Sequence, residues 1–264
     1  MGRFRLSEPA GDLIAWLGLI LMASAFLILT MTREPSLPRT SFPYHKKTEP
    51  FALVILDPGH GGQDSGAMAG NVLEKDLTFD IAERVDRLLG SQGIPTLLTR
   101  TGDSYVSLTD RAKLINRADH AIVVSIHFND GPRPEASGIE TYFAAQRTTG
   151  VPGIASWLPF LQKVGNVQPN VESQSLAQFI QEQLVAHTQA INRGTKAEQF
   201  YVLANVRHPA VLVEGGFLTN KNEIGKLADA NYREQLAVAI SDGILKYRDT
   251  IKASGDNIDG AVHE

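Results

Sequence analysis

The sequence predicts an α/β domain on a largely parallel or mixed sheet, carried behind an apolar N-terminal helix. Three observations predict it. Apolar runs of strand length, such as Phe51–Leu56 and Ala121–Ile126, alternate with longer stretches of helical period. Apolar residues make up 43% of the 264 positions and charged residues 20%, so a chain this long can bury a core and is not globally disordered. Leu13–Met31 runs without a charge.

That run spans roughly 28 Å as a helix, about the depth of a bilayer core. A cleavable signal peptide is the rival reading, and Ala23-Ser24-Ala25 resembles a cleavage site. Strongly apolar Phe26–Leu29 would then follow the cut, so an uncleaved transmembrane anchor at 13–31, after a short segment 1–12, is the better expectation. Arg3 and Arg5 precede it while Arg33, Arg39, Lys46 and Lys47 follow, so the charges do not favour a cytoplasmic N-terminus. Residues 32–50 carry Pro35, Pro38, Pro43 and Pro50 and read as a semi-extended linker. The folded part is expected at 51–251, and the polar stretch 252–264 reads as a disordered tail.

Within the folded part, Phe51–Leu56 is a buried strand ended by Asp57-Pro58-Gly59. Glu74–Gln92 puts Leu77, Ile81, Val85 and Leu88 on one face of a helix closed by Gly93. Thr96–Thr99 is a short strand. Ser107-Leu108-Thr109-Asp110 caps a helix to Ala118. Ala121–Ile126 and Ile139–Phe143 are strands, Ser175–Ile191 a helix, Phe200–Leu203 and Val211–Val213 strands. Two helices follow, opened by the N-x-x-E caps Asn220–Glu223 and Asn231–Glu234.

Composition narrows the chemistry. Lys and Arg total 25 against 29 Asp and Glu, a net charge of −4 that argues against a nucleic-acid partner. The absence of cysteine excludes disulfides, thiolate metal sites and thiol nucleophiles. Any metal must be held by the 7 His and the carboxylates. Three polar groups stand where buried strands end: His60 in DPGHGG, His127 after Ala121–Ile126, and Glu214 after Val211–Val213. Ligands gather at the carboxyl ends of strands in α/β sheets, so these three are expected to converge. The Gly-rich stretch around His60 lacks the GK[ST] and GxGxxG spacings of nucleotide loops. Glu74 opens a helix, where a negative charge is also favourable in itself.

ILDPGHGGQDSGA, Glu74 beyond it, SIHFN (Ser125–Asn129) and PAVLVEGGFLTN (Pro209–Asn220) together resemble the zinc-dependent N-acetylmuramoyl-L-alanine amidases of bacterial cell-wall turnover. The resemblance runs from about Leu53 to Tyr247. It implies one α/β domain with a mixed sheet of about six strands flanked by helices. It implies Zn2+ held by His60, Glu74 and His127, with Glu214 as the catalytic carboxylate. The substrate implied is peptidoglycan, cut at the amide joining muramic acid to L-Ala. Two imidazoles and a carboxylate suit a catalytic zinc site, and Glu214 can move the proton that amide cleavage needs. A protein activator is a further partner that the resemblance admits. The implied location is the cell envelope, the domain held by its anchor at the inner membrane on the periplasmic or outer side.

Asp57 and Asn129 are candidates to orient the ligands. His208 is the remaining histidine to watch, because it lies near the Glu214 strand. The chain departs from the family between Phe143 and Ser175, where an insert at about 147–172 carries Ile154, Trp157, Leu158, Leu161 and Val164 on one helical stripe. Regulated relatives carry an inhibitory helix there, but this insert has no obvious acidic residue to cap a zinc ion; Ile154–Val164 is expected over or beside the zinc cleft, with a surface helix packed on the core as the alternative. Two rival functions remain in view: a non-catalytic wall-binding regulator on the same fold, and a zinc peptidase acting on the stem peptide.

Overall fold

The computed structural model describes residues 20–24, 49–146 and 170–260, with side chains as far as 254. Most of the anchor, the linker to 48, and insert residues 147–169, including Ile154–Val164, lie outside the described residues. Residues 20–24 form a helical turn closed by the Ser24 hydroxyl, which donates to the Ile20 carbonyl at 2.7 Å. Among the described residues no helix is long and apolar enough to cross a membrane.

The domain is α/β, as expected. In chain order come β1 (Leu53–Pro58), β2 (Met68–Ala69), β3 (Val72–Leu73), α1 (Glu74–Ser91), β4 (Thr96–Leu98), α2 (Leu108–Arg117), β5 (Ala121–Asn129) and β6 (Ile139–Phe143). Then follow α3 (Val171–Thr188), β7 (Asn192–Ala197), α4 (Tyr201–Ala204), β8 (Ala210–Phe217), α5 (Lys221–Ala228) and α6 (Ala230–Gly260). The main sheet has six strands in the order β4-β1-β5-β8-β6-β7. β6 runs antiparallel to β8 and every other pairing is parallel, so the sheet is mixed. β2 and β3 form a separate small hairpin.

Alternation along the strands builds two apolar layers. Val54, Leu56, Ile122, Val124, Val211 and Val213 face one way and pack with Leu77, Ile81, Val85 and Leu89 of α1, Leu176, Ile180 and Leu184 of α3, and Ile240 and Ile244 of α6. Leu53, Ile55, Val123 and Leu212 face the other way, against Ala112 and Ile115 of α2 and Val202 and Leu203 of α4. Full burial of such a side chain stabilises by about 1.5–3 kcal/mol. The second layer is thin, and beyond Ile55, Val123 and Leu212 the same face continues as Asp57, Ser125, His127 and Glu214. Polar chemistry begins where its helical cover ends.

Four sequence expectations are corrected. Phe200–Leu203 is not a strand; Tyr201–Ala204 is a helical turn whose Val202 and Leu203 fill the thin layer. A short apolar run cannot be told from a buried helical turn by period alone. The last helix is not capped by Asn231. It starts one residue earlier, Asp229 Oδ1 accepts from the Asn231 backbone N–H at 2.9 Å, and Glu234 instead pairs with Arg84. That helix also continues to Gly260, so the stretch from Lys252 expected as a disordered tail is helical to that residue, and Lys252 pairs with Glu49 at 2.6 Å. Finally, His127 and Glu214 lie within their strands rather than past them, because β5 and β8 extend to Asn129 and Phe217. The Ser107 and Asn220 caps form as read: Ser107 accepts from the Asp110 N–H, and Asn220 from those of Asn222 and Glu223.

Candidate metal centre

Parallel pairing of β5 with β8 sets His127 beside Glu214 in register. The β6–β8 pairing sets Glu140 beside Glu214 on its other flank. His60 enters from the turn after β1, and Glu74 from the first residue of α1. His60 Nε2 approaches Glu74 Oε1 at 3.1 Å and His127 Nδ1 approaches the same oxygen at 3.0 Å. One donor atom from each of the three lies within 4.8 Å of the others. The structure brings together the three residues expected as ligands.

The surroundings hold that convergence. His60 Nδ1 meets Asp64 Oδ2 at 2.9 Å, which fixes the ring and leaves Nε2 directed to Glu74. Glu74 Oε2 accepts from the Ala67 N–H at 2.8 Å, and Oε1 accepts from the Phe128 N–H at 3.0 Å. Burial opposes charge on Glu74, but hydrogen bonds and attraction from His127 and His60 outweigh it and hold the carboxyl well below its usual range. Two glycines make room for the side chains of this cluster. A Cβ on Gly59 would lie 2.3 Å from the His127 ring, and one on Gly66, whose φ is +64°, would lie 2.4 Å from Glu74 Oε2. The donor set, two imidazoles and a carboxylate packed closely against Gly59 and Gly66, fits a divalent metal of the zinc type.

His60 itself has φ near +60°, a conformation unusual for a residue with a side chain. Two buried arginines secure it. Arg111 donates to the carbonyls of His60 at 2.7 Å, Pro58 at 2.8 Å and Val106 at 3.0 Å. Arg100 donates to those of Gly59 at 3.0 Å, Pro58 at 3.1 Å and Lys75 at 2.7 Å. Asp57, buried beneath the turn, accepts from Arg111 Nη1 at 2.6 Å, Thr99 Oγ1 at 2.6 Å and Ser125 Oγ at 2.8 Å. Neither Asp57 nor Asn129 hydrogen-bonds the side chain of His60, Glu74 or His127; Asp57 pairs with Arg111, and Asn129 Nδ2 donates to Glu140 at 2.9 Å. His208 is buried, with Nε2 3.1 Å from the Ala118 carbonyl on the thin-layer side, so it belongs to the frame.

Glu214 Oε2 is sealed from solvent and has no hydrogen-bond partner among the described residues. Burial, then the charges of Glu74 and Glu140, push its pKa well above the usual carboxylate range. An unsatisfied buried carboxyl oxygen costs free energy in a resting fold, and such groups concentrate where chemistry is done.

The sequence model of the N-acetylmuramoyl-L-alanine amidase family matches residues 54–246. The chain belongs to that family. It is 34% identical over 194 residues to the N-acetylmuramoyl-L-alanine amidase LytC of Bacillus subtilis, a match over 74% of this chain and 35% of LytC's own length. The N-acetylmuramoyl-L-alanine amidase from Clostridium difficile 630 superposes with a TM-score of 0.63 at 35% identity, over 76% of this chain and 98% of that one. The CwlD amidase from Clostridioides difficile, solved in complex with the GerS lipoprotein, gives 0.64 at 29% identity over 75% of this chain and 99% of that one. As an N-acetylmuramoyl-L-alanine amidase it hydrolyses peptidoglycan at the amide between N-acetylmuramic acid and L-alanine.

Sequence reading of this amidase missed several residues that build its site. Arg100 and Arg111 carry no signal in the sequence, because their partners are backbone carbonyls that only the fold brings near. Glu140 is buried and accepts from four side chains: Asn129 Nδ2, Tyr142 OH at 2.7 Å, Arg193 Nε at 2.8 Å and Lys196 Nζ. Glu223 looks like a helix cap alone, yet its carboxylate also accepts from the backbone N–H of Gly138 and of Phe217, each at 2.7 Å, pinning β6 to the end of β8.

Proposed function

We propose that His60, Glu74 and His127 hold the zinc ion of this amidase and that Glu214 is its general acid and base. The observation that carries the reading is the unpartnered, buried Oε2 of Glu214, one strand from His127 in register. A zinc ion held there supplies Lewis-acid activation and a positive charge that counters the rise on Glu214. Glu214 takes a proton at its free oxygen from the water attacking the lactyl carbonyl, and then delivers it to the departing amine of L-alanine. Asp64 keeps His60 Nδ1 protonated and the ring oriented. Arg111 and Arg100 hold the backbone of the His60 turn against the strain of its positive φ.

The same reading extends to the chain as a whole. Residues 13–31 form a membrane anchor, 32–50 a linker, and the amidase domain works on the cell wall from the membrane surface, with 147–172 as an insert in it. A protein activator is consistent with the lipoprotein complex formed by the CwlD relative.

The test is zinc analysis with mass spectrometry of products released from sacculi by the full chain and by Glu214→Gln. The reading requires zinc in both, and free stem peptide beginning at L-alanine from the first only. Release of shortened stem peptides still bound to muramic acid would make the chain a peptidase instead.

A further inference from the structure

Two cations converge on one carboxylate beside the catalytic position. Arg193 Nε and Lys196 Nζ both bind Glu140 Oε2, while Asn129 and Tyr142 take Oε1. Glu140 is therefore one carboxylate shared between two cations. Each head has a further contact besides Glu140. Arg193 lies over the Phe217 ring at 4.9 Å and its Nη1 reaches the Ser137 carbonyl at 3.4 Å, while Lys196 lies over the Tyr142 ring at 5.6 Å. Both remain about a third exposed, at 33% and 38% of the side chain. Among the described residues nothing engages Arg193 Nη2.

The backbone is arranged to produce this. β7 pairs with β6 in parallel, but its register shifts between the Ile139–Asn192 and Thr141–Thr195 pairs, and Gly194 takes a φ of +79° there. The extra residue re-aims Arg193 so that it and Lys196 reach the same oxygen. Glu140 is the direct neighbour of Glu214, so both cationic heads gather roughly one to two strand spacings, about 5–10 Å, from the catalytic carboxyl.

We propose that Arg193 and Lys196 form an anion subsite that takes the carboxylate carried by the second residue of the stem peptide. This rests on the reading of Glu214 as the catalytic carboxylate. Extended peptide advances about 3.3–3.6 Å per residue, so the first carboxylate past the scissile amide lies roughly 6–8 Å from it. That falls within the range that the strand spacing gives for the two cations. Arg193 Nη2, which Glu140 and Ser137 leave open, offers N–H donors that a carboxylate accepts. A stem peptide amidated at that second residue presents a neutral group to the same site and is disfavoured.

The test uses zinc-loaded full chain and two disaccharide–tripeptides that differ only in a free carboxylate or a carboxamide on the second residue. Wild-type chain is expected to prefer the acid in kcat/KM by about 10- to 100-fold, the range of a hydrogen-bonded charge. In Arg193→Gln and Lys196→Gln that ratio falls toward one, and Arg193→Lys restores part of it. If these residues serve only to hold Glu140, both substrates slow together and the ratio stays, which overturns the subsite. Calorimetry of the acid and amide forms of the released peptide on Glu214→Gln chain makes the same comparison without turnover. Equal affinities overturn the subsite. A retained preference for the acid supports it even if Glu214→Gln proves fully active, an outcome that would count against the catalytic reading alone.

Discussion

Glu140 and Glu214 stand directly opposite one another across the antiparallel β6–β8 pair, yet the two carboxyl groups are held in opposite states. Burial opposes charge on both. For Glu140 the hydrogen bonds from Lys196, Tyr142, Arg193 and Asn129 overcome it and hold the pKa at about 2. For Glu214 nothing offsets it, and Glu74 and Glu140 add repulsion, so the pKa rises. Carboxyl groups separated in this way by environment suit different roles: the first suits a fixed anion and the second the proton carrier proposed above.

Replacing Glu214 by Gln keeps the shape of the side chain and removes the proton transfer proposed for it. Turnover should fall by about 100- to 10,000-fold, the usual contribution of general acid–base catalysis, with zinc content and peptide binding retained. Steady-state rates on purified muropeptide, beside zinc analysis, check this. A Gln chain with wild-type kcat would make Glu214 an orienting group.

His60→Ala and His127→Ala should each lose the metal. Asp64→Asn should keep it but weaken affinity by about 10- to 100-fold, because the His60 ring loses the acceptor that orients it. Competition with a chromophoric chelator measures both. Chelation of the wild-type chain should abolish activity while circular dichroism stays nearly unchanged, because the apolar layers beneath the site do not include His60, Glu74 or His127.

Arg111→Met should destabilise the domain by about 3–5 kcal/mol, the cost of stranding a buried charge, here Asp57. Urea unfolding at neutral pH reads the loss. Asp57 also sets a pH dependence. Burial raises its pKa, but the Arg111 charge and the bonds from Thr99, Arg111 and Ser125 bring it below the ordinary aspartate value of 3.8. Its stabilisation is complete above the unfolded value near 3.8 and is lost as pH falls through the lower folded value. Acid unfolding of wild-type chain should therefore begin below about pH 4. A double Asp57→Asn, Arg111→Met chain should show a shallower acid transition.

Asn170 closes the base of the insert by donating its backbone N–H to the Ala145 carbonyl at 3.1 Å and its side-chain amide to the Ala144 carbonyl at 3.0 Å. The chain leaves and re-enters the domain at one point. Replacing residues 147–169 by a short Gly/Ser bridge should thus leave the fold intact, and the shorter loop lowers closure entropy by only about 1 kcal/mol. Thermal unfolding of the full and shortened chains compares them directly. A shortened chain that no longer folds would mean that the insert supplies core.

The site was legible where one short segment carries both the residue and the reason for it. Gly59, His60 and Asp64 fall within a single turn, and His127 and Glu214 sit in apolar runs whose burial is plain from composition. β7 was not legible. Asn192–Ala197 is polar, carries a glycine, and is an edge strand half-exposed along most of its length, so neither alternation nor an apolar run marks it. The Phe200–Leu203 misreading has the matching cause: a run of β-forming residues was drawn into a helical turn because the sheet's thin face needed cover there.

The sequence by itself determined the fold class, the family and the four residues expected at the centre, because apolar period and local spacing are properties of short stretches of chain. Only the tertiary structure decided what each of those residues faces. The antiparallel insertion of β6 beside β8 put Glu140 against Glu214, and the irregular register of β7 brought Arg193 and Lys196 onto Glu140. Partners such as Glu140 and Arg193, separated by 53 positions, meet through strand order and register. Those depend on how whole layers pack, and no local pattern encodes them.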